Sequence, residues 1–105
     1  MPKVEGTYPH NMSQEKATQV VKDAITELLD AFEATNIDVA DDGRDNIKFY
    51  CKSRGFSIDG KAVIKENEID VVVNLPFLAM AFKGLVKAGM DKRIPKYLGK
   101  DNGKV

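Results

Sequence analysis

Residues 46–75 read NIKFYCKSRGFSIDGKAVIKENEIDVVVNL, and their alternation decides the fold. From Asn46 to Ser53, Ile47, Phe49 and Cys51 alternate with Lys48, Tyr50 and Lys52, the period-two pattern of a half-buried strand. Arg54-Gly55 breaks the pattern. Phe56, Ile58, Gly60, Ala62 and Ile64 then share one face, with Ser57, Asp59, Lys61 and Lys65 mostly opposite. Asp59-Gly60 is also a hairpin-turn dipeptide. Alternation continues in phase across it, however, so one strand kinked at Gly60 is expected. Lys65 to Glu68 is a polar turn, and Ile69, Val71, Val73 and Leu75 give the inward face of a further strand. Strands joined by such short turns form an antiparallel meander with one apolar face.

Outward from this stretch, Ile37 to Ala40 is a short candidate strand followed by the turn signal Asp41-Asp42-Gly43. Upstream, Ala17, Val20, Val21, Ala24, Ile25, Leu28 and Phe32 recur at steps of three and four, predicting an amphipathic helix from about residue 13 to about 34. Ser13 is its N-cap candidate. A full capping box is missing, because Lys16 stands where Glu or Gln would be needed. Val4 to Tyr8 reads as an edge strand ended by Pro9. Downstream, Pro76 suits the first turn of a second helix, expected from about Phe77 to Ile94 and limited by Pro95. We therefore expect one α+β domain over residues 1–98, with 99–105 a polar, flexible tail. The predicted order is β-α-β-β-β-β-α: an antiparallel sheet of four or five strands with two long helices on one face. This topology resembles the TATA-binding-protein-like and helix-grip folds, a likeness of fold that says nothing about DNA.

A chain of 105 residues can bury a core without staples. Its single cysteine, Cys51, excludes an internal disulfide and fits a reducing compartment. Met1-Pro2-Lys3-Val4-Glu5-Gly6 lacks an apolar leader core, and the most apolar stretch, Val71 to Phe82, is about half a membrane span and contains Asn74 and Pro76. A cytoplasmic protein with no transmembrane segment is expected. The net charge is +0, which argues against bulk binding of nucleic acid. Residues 1–82 nevertheless hold 9 basic and 14 acidic side chains, a balance of −5, while residues 83–105 hold 7 and 2, a balance of +5. Lys83, Lys87, Lys92 and Arg93 either form a basic patch or simply complement a helix C-terminus.

Chemistry-bearing residues are few. His10 is the only histidine, either a general base or ligand, or a loop residue packed against the first helix. With Cys51 it makes no zinc set. Cys51 itself lies on an inward strand face, the setting of an inert core thiol rather than a nucleophile. Asp38, Asp41, Asp42 and Asp45 lack the spacing and terminal Glu of a calcium loop and read as a solvated turn. Gly55, Gly60 and Gly84 form no phosphate loop. Arg54 and Lys52 read as strand-edge charges. No catalytic residue, metal site or cofactor is expected, and the chain is read as a non-enzyme.

One segment stands out. Leu75-Pro76-Phe77-Leu78-Ala79-Met80-Ala81-Phe82 is a run of eight apolar residues. In an α-helix, at about 100° per residue, it covers every face of two turns, more than one sheet can bury. Helix 1, a second subunit, a ligand or an apolar phase must cover the excess. The candidate partner surface is Leu75, Phe77, Leu78, Met80 and Phe82 with Lys83, Lys87, Lys92 and Arg93, an apolar knob followed by lysines as in interfacial helices. The competing reading is that helix 1 and the strand ends bury the run.

From Phe56 to Gly84 the sequence FSIDGKAVIKENEIDVVVNLPFLAMAFKG resembles the polyhydroxyalkanoic acid system proteins, also called polyhydroxyalkanoate granule-region proteins. The shared features are a glycine-containing strand, a polar turn, an alternating strand, the Leu75-Pro76 junction and Phe82-Lys83-Gly84. His10 and Met12 leading into Ser13-Gln14-Glu15-Lys16-Ala17 fit as well, so the likeness covers about nine-tenths of the chain. The turn from Asp41 to Asn46 and the tail after Leu98 depart from the usual pattern. The resemblance implies a bacterial, non-enzymatic accessory protein, with no catalytic residues to carry over. Association with storage granules or another apolar surface is the first functional expectation. Two others stand beside it. One is a binding module for an acyl or other apolar ligand, with Phe49, Phe56, Ile58, Val71, Val73 and Leu85 lining a pocket between helix and sheet. The other is a homodimer that uses the apolar run as its interface.

Overall fold

Alternation in residues 46–75 becomes three paired strands, and the flanking segments complete the sheet around them. In the computed structural model, which describes residues 3–100, the chain runs β1 (Lys3–Pro9), α1 (Gln14–Ala31), β2 (Thr35–Asp41), β3 (Asn46–Ser53), β4 (Phe56–Ile64), β5 (Glu68–Asn74), a 3-10 segment (Phe77–Phe82) and α2 (Lys83–Lys100). The fold is α+β with the expected order of elements. One antiparallel sheet has the strand order β1-β5-β4-β3-β2. β2 to β5 form the meander, β1 closes it beside β5, and α1 carries the chain back across the sheet to the far edge.

Both helices lie on one sheet face. Val21, Ile25 and Leu28 of α1, and Met90, Ile94 and Leu98 of α2, are buried against Val4, Ile47, Ile64, Ile69 and Val71 of the strands. The other face carries exposed Lys48, Tyr50, Lys52, Ser57, Asp59 and Lys61, so the strands alternate as the sequence implies. Gly60 is buried and sits in register opposite Phe49 and Val73. A Cβ there would overlap the Phe49 ring and stand 2.6 Å from the Val72 carbonyl oxygen. The glycine therefore makes room for a core aromatic within one unbroken strand.

Ser13 caps α1, its Oγ accepting the Lys16 backbone N–H at 3.1 Å. At the other end Glu33 adopts φ 57, and the Ala34 and Glu33 N–H groups bond the carbonyls of Leu29 and Asp30. This is a Schellman ending with glutamate where glycine is usual, and it stops the helix three residues before the apolar periodicity suggests. β2 is the outer edge, mostly exposed, with a register shift between Thr35 and Asp38 and Asn36 at φ 52.

The second helix departs from expectation at both ends. It begins at Lys83 rather than Phe77, because Phe77–Phe82 winds as a 3-10 helix. It also runs through Pro95 to Lys100. Pro95 is exposed, and the helix continues past the one backbone hydrogen bond that its missing N–H removes. Gly99 and Lys100, expected in the tail over 99–105, thus belong to α2, and the tail's remaining residues, 101–105, lie outside the described residues. Gly89 brings α2 close to α1: a Cβ there would lie 3.1 Å from Phe32 and 3.2 Å from Leu28.

Candidate functional site

The 3-10 geometry settles what the eight-residue apolar run does. With three residues per turn, positions three apart eclipse one another and only one in three faces inward. Pro76, Ala79 and Phe82 form that inner row, with Ala79 buried and the other two half-buried. The two outer rows face solvent, leaving Phe77 72%, Leu78 80% and Met80 44% exposed. Leu85, in the first turn of α2, is 51% exposed and extends the surface. Large apolar side chains rarely gather in the open, and such clusters mark contact sites. We call this surface the ledge.

Two of the residues expected on the ledge are not on it. Leu75 is 1% exposed and belongs to the core, because it continues the inward row of β5 after Val71 and Val73. Phe82 is half-buried against Phe56, ring centroids 6.3 Å apart at 57°, with the Arg54 guanidinium 5.6 Å above its ring. Arg54, read from sequence as an edge charge, sits at φ 55 in the β3–β4 turn, followed by Gly55 at φ 84.

The basic residues divide in the same way. Lys87 donates to Asp91 Oδ1 at 2.9 Å and lies 5.9 Å from the Tyr8 ring centre. Tyr8 donates its hydroxyl to the same carboxylate oxygen at 2.8 Å. Burial, and then that bond, push the Tyr8 phenol up, while hydrogen bonds from Lys87 and Tyr8 hold the Asp91 carboxyl below its usual range. Arg93 and Lys96 approach Glu27 Oε2 at 3.7 and 3.6 Å, and Tyr97 donates to Glu27 Oε1. The Tyr97 bond is the main cause holding Glu27 low. Asp91, through Tyr8, and Arg93, through Glu27, therefore tie α2 to β1 and α1, with Lys87 paired to Asp91 along the helix. Lys83 and Lys92 make no ion pair among the described residues. At 100° per residue Lys92 falls on the same outer side of α2 as Leu85, and Lys83 shares a shallow groove with Lys3 and Lys87.

Behind the ledge lies an apolar cavity of about 40 Å³ between the end of α1, the sheet and the start of α2. Of the candidate pocket residues, Phe49, Phe56, Ile58, Val73 and Leu85 line it; Val71 does not, being packed elsewhere in the core. Phe32, Phe82, Arg54, Cys51 and Ser53 are also in the wall. The sequence could have pointed to Phe32, which falls on the apolar stripe of α1. It offers no sign of Arg54 beyond an Arg-Gly pair standing between two strands.

The remaining candidates have structural roles. His10 is 4% exposed. The Met12 N–H donates to its Nδ1 at 3.1 Å, so Nε2 carries the proton and donates to the Lys65 carbonyl at 2.9 Å. Both ring nitrogens are thereby engaged in holding the β1–α1 loop. Cys51 is buried, which pushes its thiol pKa up and away from a reactive thiolate. Asp41 and Asp42 accept the backbone N–H groups of Gly43 and Arg44, each at 2.8 Å, and Asp45 accepts from Gln14 at 3.1 Å. Among the described residues no cluster of three metal-binding side chains forms, and no helix is long and apolar enough to cross a membrane.

Comparison with known proteins adds the family. No curated protein matches the chain significantly. Among solved structures, the crystal structure of TTHA0849 from Thermus thermophilus is similar at 15% identity and a TM-score of 0.43, covering 92% of each chain. The family model described as "Putative polyhydroxyalkanoic acid system protein" matches residues 5–98, from β1 almost to the end of α2. The chain belongs to the polyhydroxyalkanoic acid system protein family.

Proposed function

We propose that this protein is a non-enzymatic accessory protein that docks on an apolar surface, such as a storage granule or a lipid layer, through Phe77, Leu78, Met80 and Leu85. One observation carries the reading: the largest exposed apolar side chains of the helical layer all fall within nine residues of one short segment. Family membership agrees with it. Covering these four side chains contributes roughly 4–7 kcal/mol before ordering costs, enough for reversible attachment. Lys92, on the side of α2 that carries Leu85, would lie at the polar boundary of the docked face.

The test is flotation or pelleting with polyester granules and with lipid vesicles. Phe77→Asp with Leu78→Asp is the variant of choice, since Phe82 contributes to packing. Wild type is expected to co-sediment with granules or float with vesicles, and the double variant to remain in solution with its melting temperature unchanged within about 2 °C. Equal attachment of both proteins rejects the proposal. A concentration-dependent dimer abolished by the same variant, without attachment of wild type to either surface, would assign the ledge to self-association instead.

A further inference from the structure

We propose that the cavity behind the ledge binds the alkyl end of a short-chain monocarboxylate, with Arg54 holding the carboxylate at the rim. The proposal does not rest on surface docking: Leu85 is shared, but Phe77, Leu78 and Met80 are not among the residues that line the cavity.

The wall dictates the body of the ligand. Apart from Arg54, its polar groups are Ser53 and the Cys51 thiol. The Ser53 hydroxyl is committed to the Phe32 carbonyl at 2.8 Å, and the thiol is held protonated by burial. Nothing inside offers a strong hydrogen bond, so a polar group there would go unpaired at considerable cost. A volume of about 40 Å³ is on the order of three water-sized spheres. That suits the last few carbons of an alkyl chain and excludes a long acyl tail held wholly inside.

The rim dictates the head. Arg54 is the single charged residue lining the cavity. It is exposed, and its guanidinium is steadied over the Phe82 ring without an ion-pair partner among the described residues. Its backbone makes the placement unusual. Arg54 and Gly55 have φ of 55 and 84, the two left-handed positions of a tight hairpin turn, where Asn-Gly or Asp-Gly is favoured. An arginine is disfavoured in that conformation, since its Cβ crowds the following carbonyl oxygen. Turn stability therefore does not account for it, whereas its reach to the mouth of an apolar cavity does. A guanidinium fork matches a planar carboxylate in bidentate fashion, and a neutral or cationic head gains nothing from it.

Amide and methyl NMR of the full chain tests the proposal with sodium hexanoate, hexan-1-ol, hexylammonium and hexyl phosphate, all kept below micelle formation. Hexanoate is expected to shift the resonances of Phe82, Leu85 and Val86 and to bind about tenfold tighter than hexan-1-ol, with hexylammonium weakest. Arg54→Gln should bring hexanoate down to the affinity of hexan-1-ol while leaving the alcohol and the melting temperature unchanged. Arg54→Lys should recover only part of the loss. The Phe77→Asp, Leu78→Asp variant should bind hexanoate like wild type, which separates this site from the ledge. Three results would each overturn the proposal. They are equal binding of hexanoate and hexan-1-ol, undiminished hexanoate binding by Arg54→Gln, and no shift at the cavity lining with millimolar hexanoate. Tighter binding of hexyl phosphate than of hexanoate would overturn the choice of carboxylate.

Discussion

Helix α1 and the segment from Phe77 to Leu85 are both rich in large apolar residues, yet they treat them in opposite ways. In α1 the spacing of three and four gathers Val21, Ile25 and Leu28 onto one stripe, and all are buried. In the later segment apolar residues follow one another without a gap, the backbone tightens to three residues per turn, and only Ala79 is fully buried within the 3-10 segment. Both the density of apolar residues and their periodicity differ. Burial is set by how many faces an element can press against its neighbours, and hydrocarbon in excess of that number stays outside whatever its hydrophobicity.

Stability measurements can break this comparison. The largest expected effect is in α1. Ile25 is 0% exposed, and Ile25→Ala should cost about 3–4 kcal/mol by denaturant unfolding, from lost transfer energy plus a cavity. An intermediate effect is expected on the inner row of the 3-10 segment. Phe82→Ala removes a half-buried ring and its contacts with Phe56 and Arg54, at about 1–2 kcal/mol. The smallest belongs to the outer rows, where Phe77→Ala should change stability by less than about 0.5 kcal/mol. A loss at Phe77 as large as that at Ile25 would mean that the ledge is core after all, and the contrast would collapse. Similar losses at Phe77 and Phe82 would mean that the segment does not keep the period of three.

How far the sequence reveals these features depends on whether a pattern has a period to read. β3, β4 and β5 are legible because each side chain alternates between water and core, and Gly60 keeps the phase. The start of α1 is legible in Ser13. Its end is not, since Glu33 takes a left-handed conformation that sequence rules reserve mainly for glycine. Pro95 normally signals a stop, yet α2 continues past the one backbone hydrogen bond that it removes. The run from Leu75 to Phe82 announces an excess of apolar surface but, being uniform, cannot say which members lie inside. Pattern alone therefore puts Leu75 and Phe82 outside, where the structure does not. The Lys87–Asp91 pair, four residues apart on one helix, could have been read from the sequence, whereas Tyr8 and Glu27 come from distant segments and meet Asp91 and Arg93 only in the folded packing. The apolar lining of the cavity can be anticipated from strand faces, whereas Arg54 cannot, because its role depends on a turn conformation rather than on residue type.

The irregular border strand β2 bears on how molecules of this protein meet. A sheet with a long, regular free margin invites another strand to add, and then another, so that association propagates into fibres. Here the ladder slips between Thr35 and Asp38, Asn36 turns its backbone out of line, and Asp38 places a charge beside the break. Such a margin gives an incoming strand no continuous row of donors and acceptors to copy. At this one of the sheet's two margins, then, a molecule that leaves greasy side chains uncovered elsewhere is guarded against adding strand after strand.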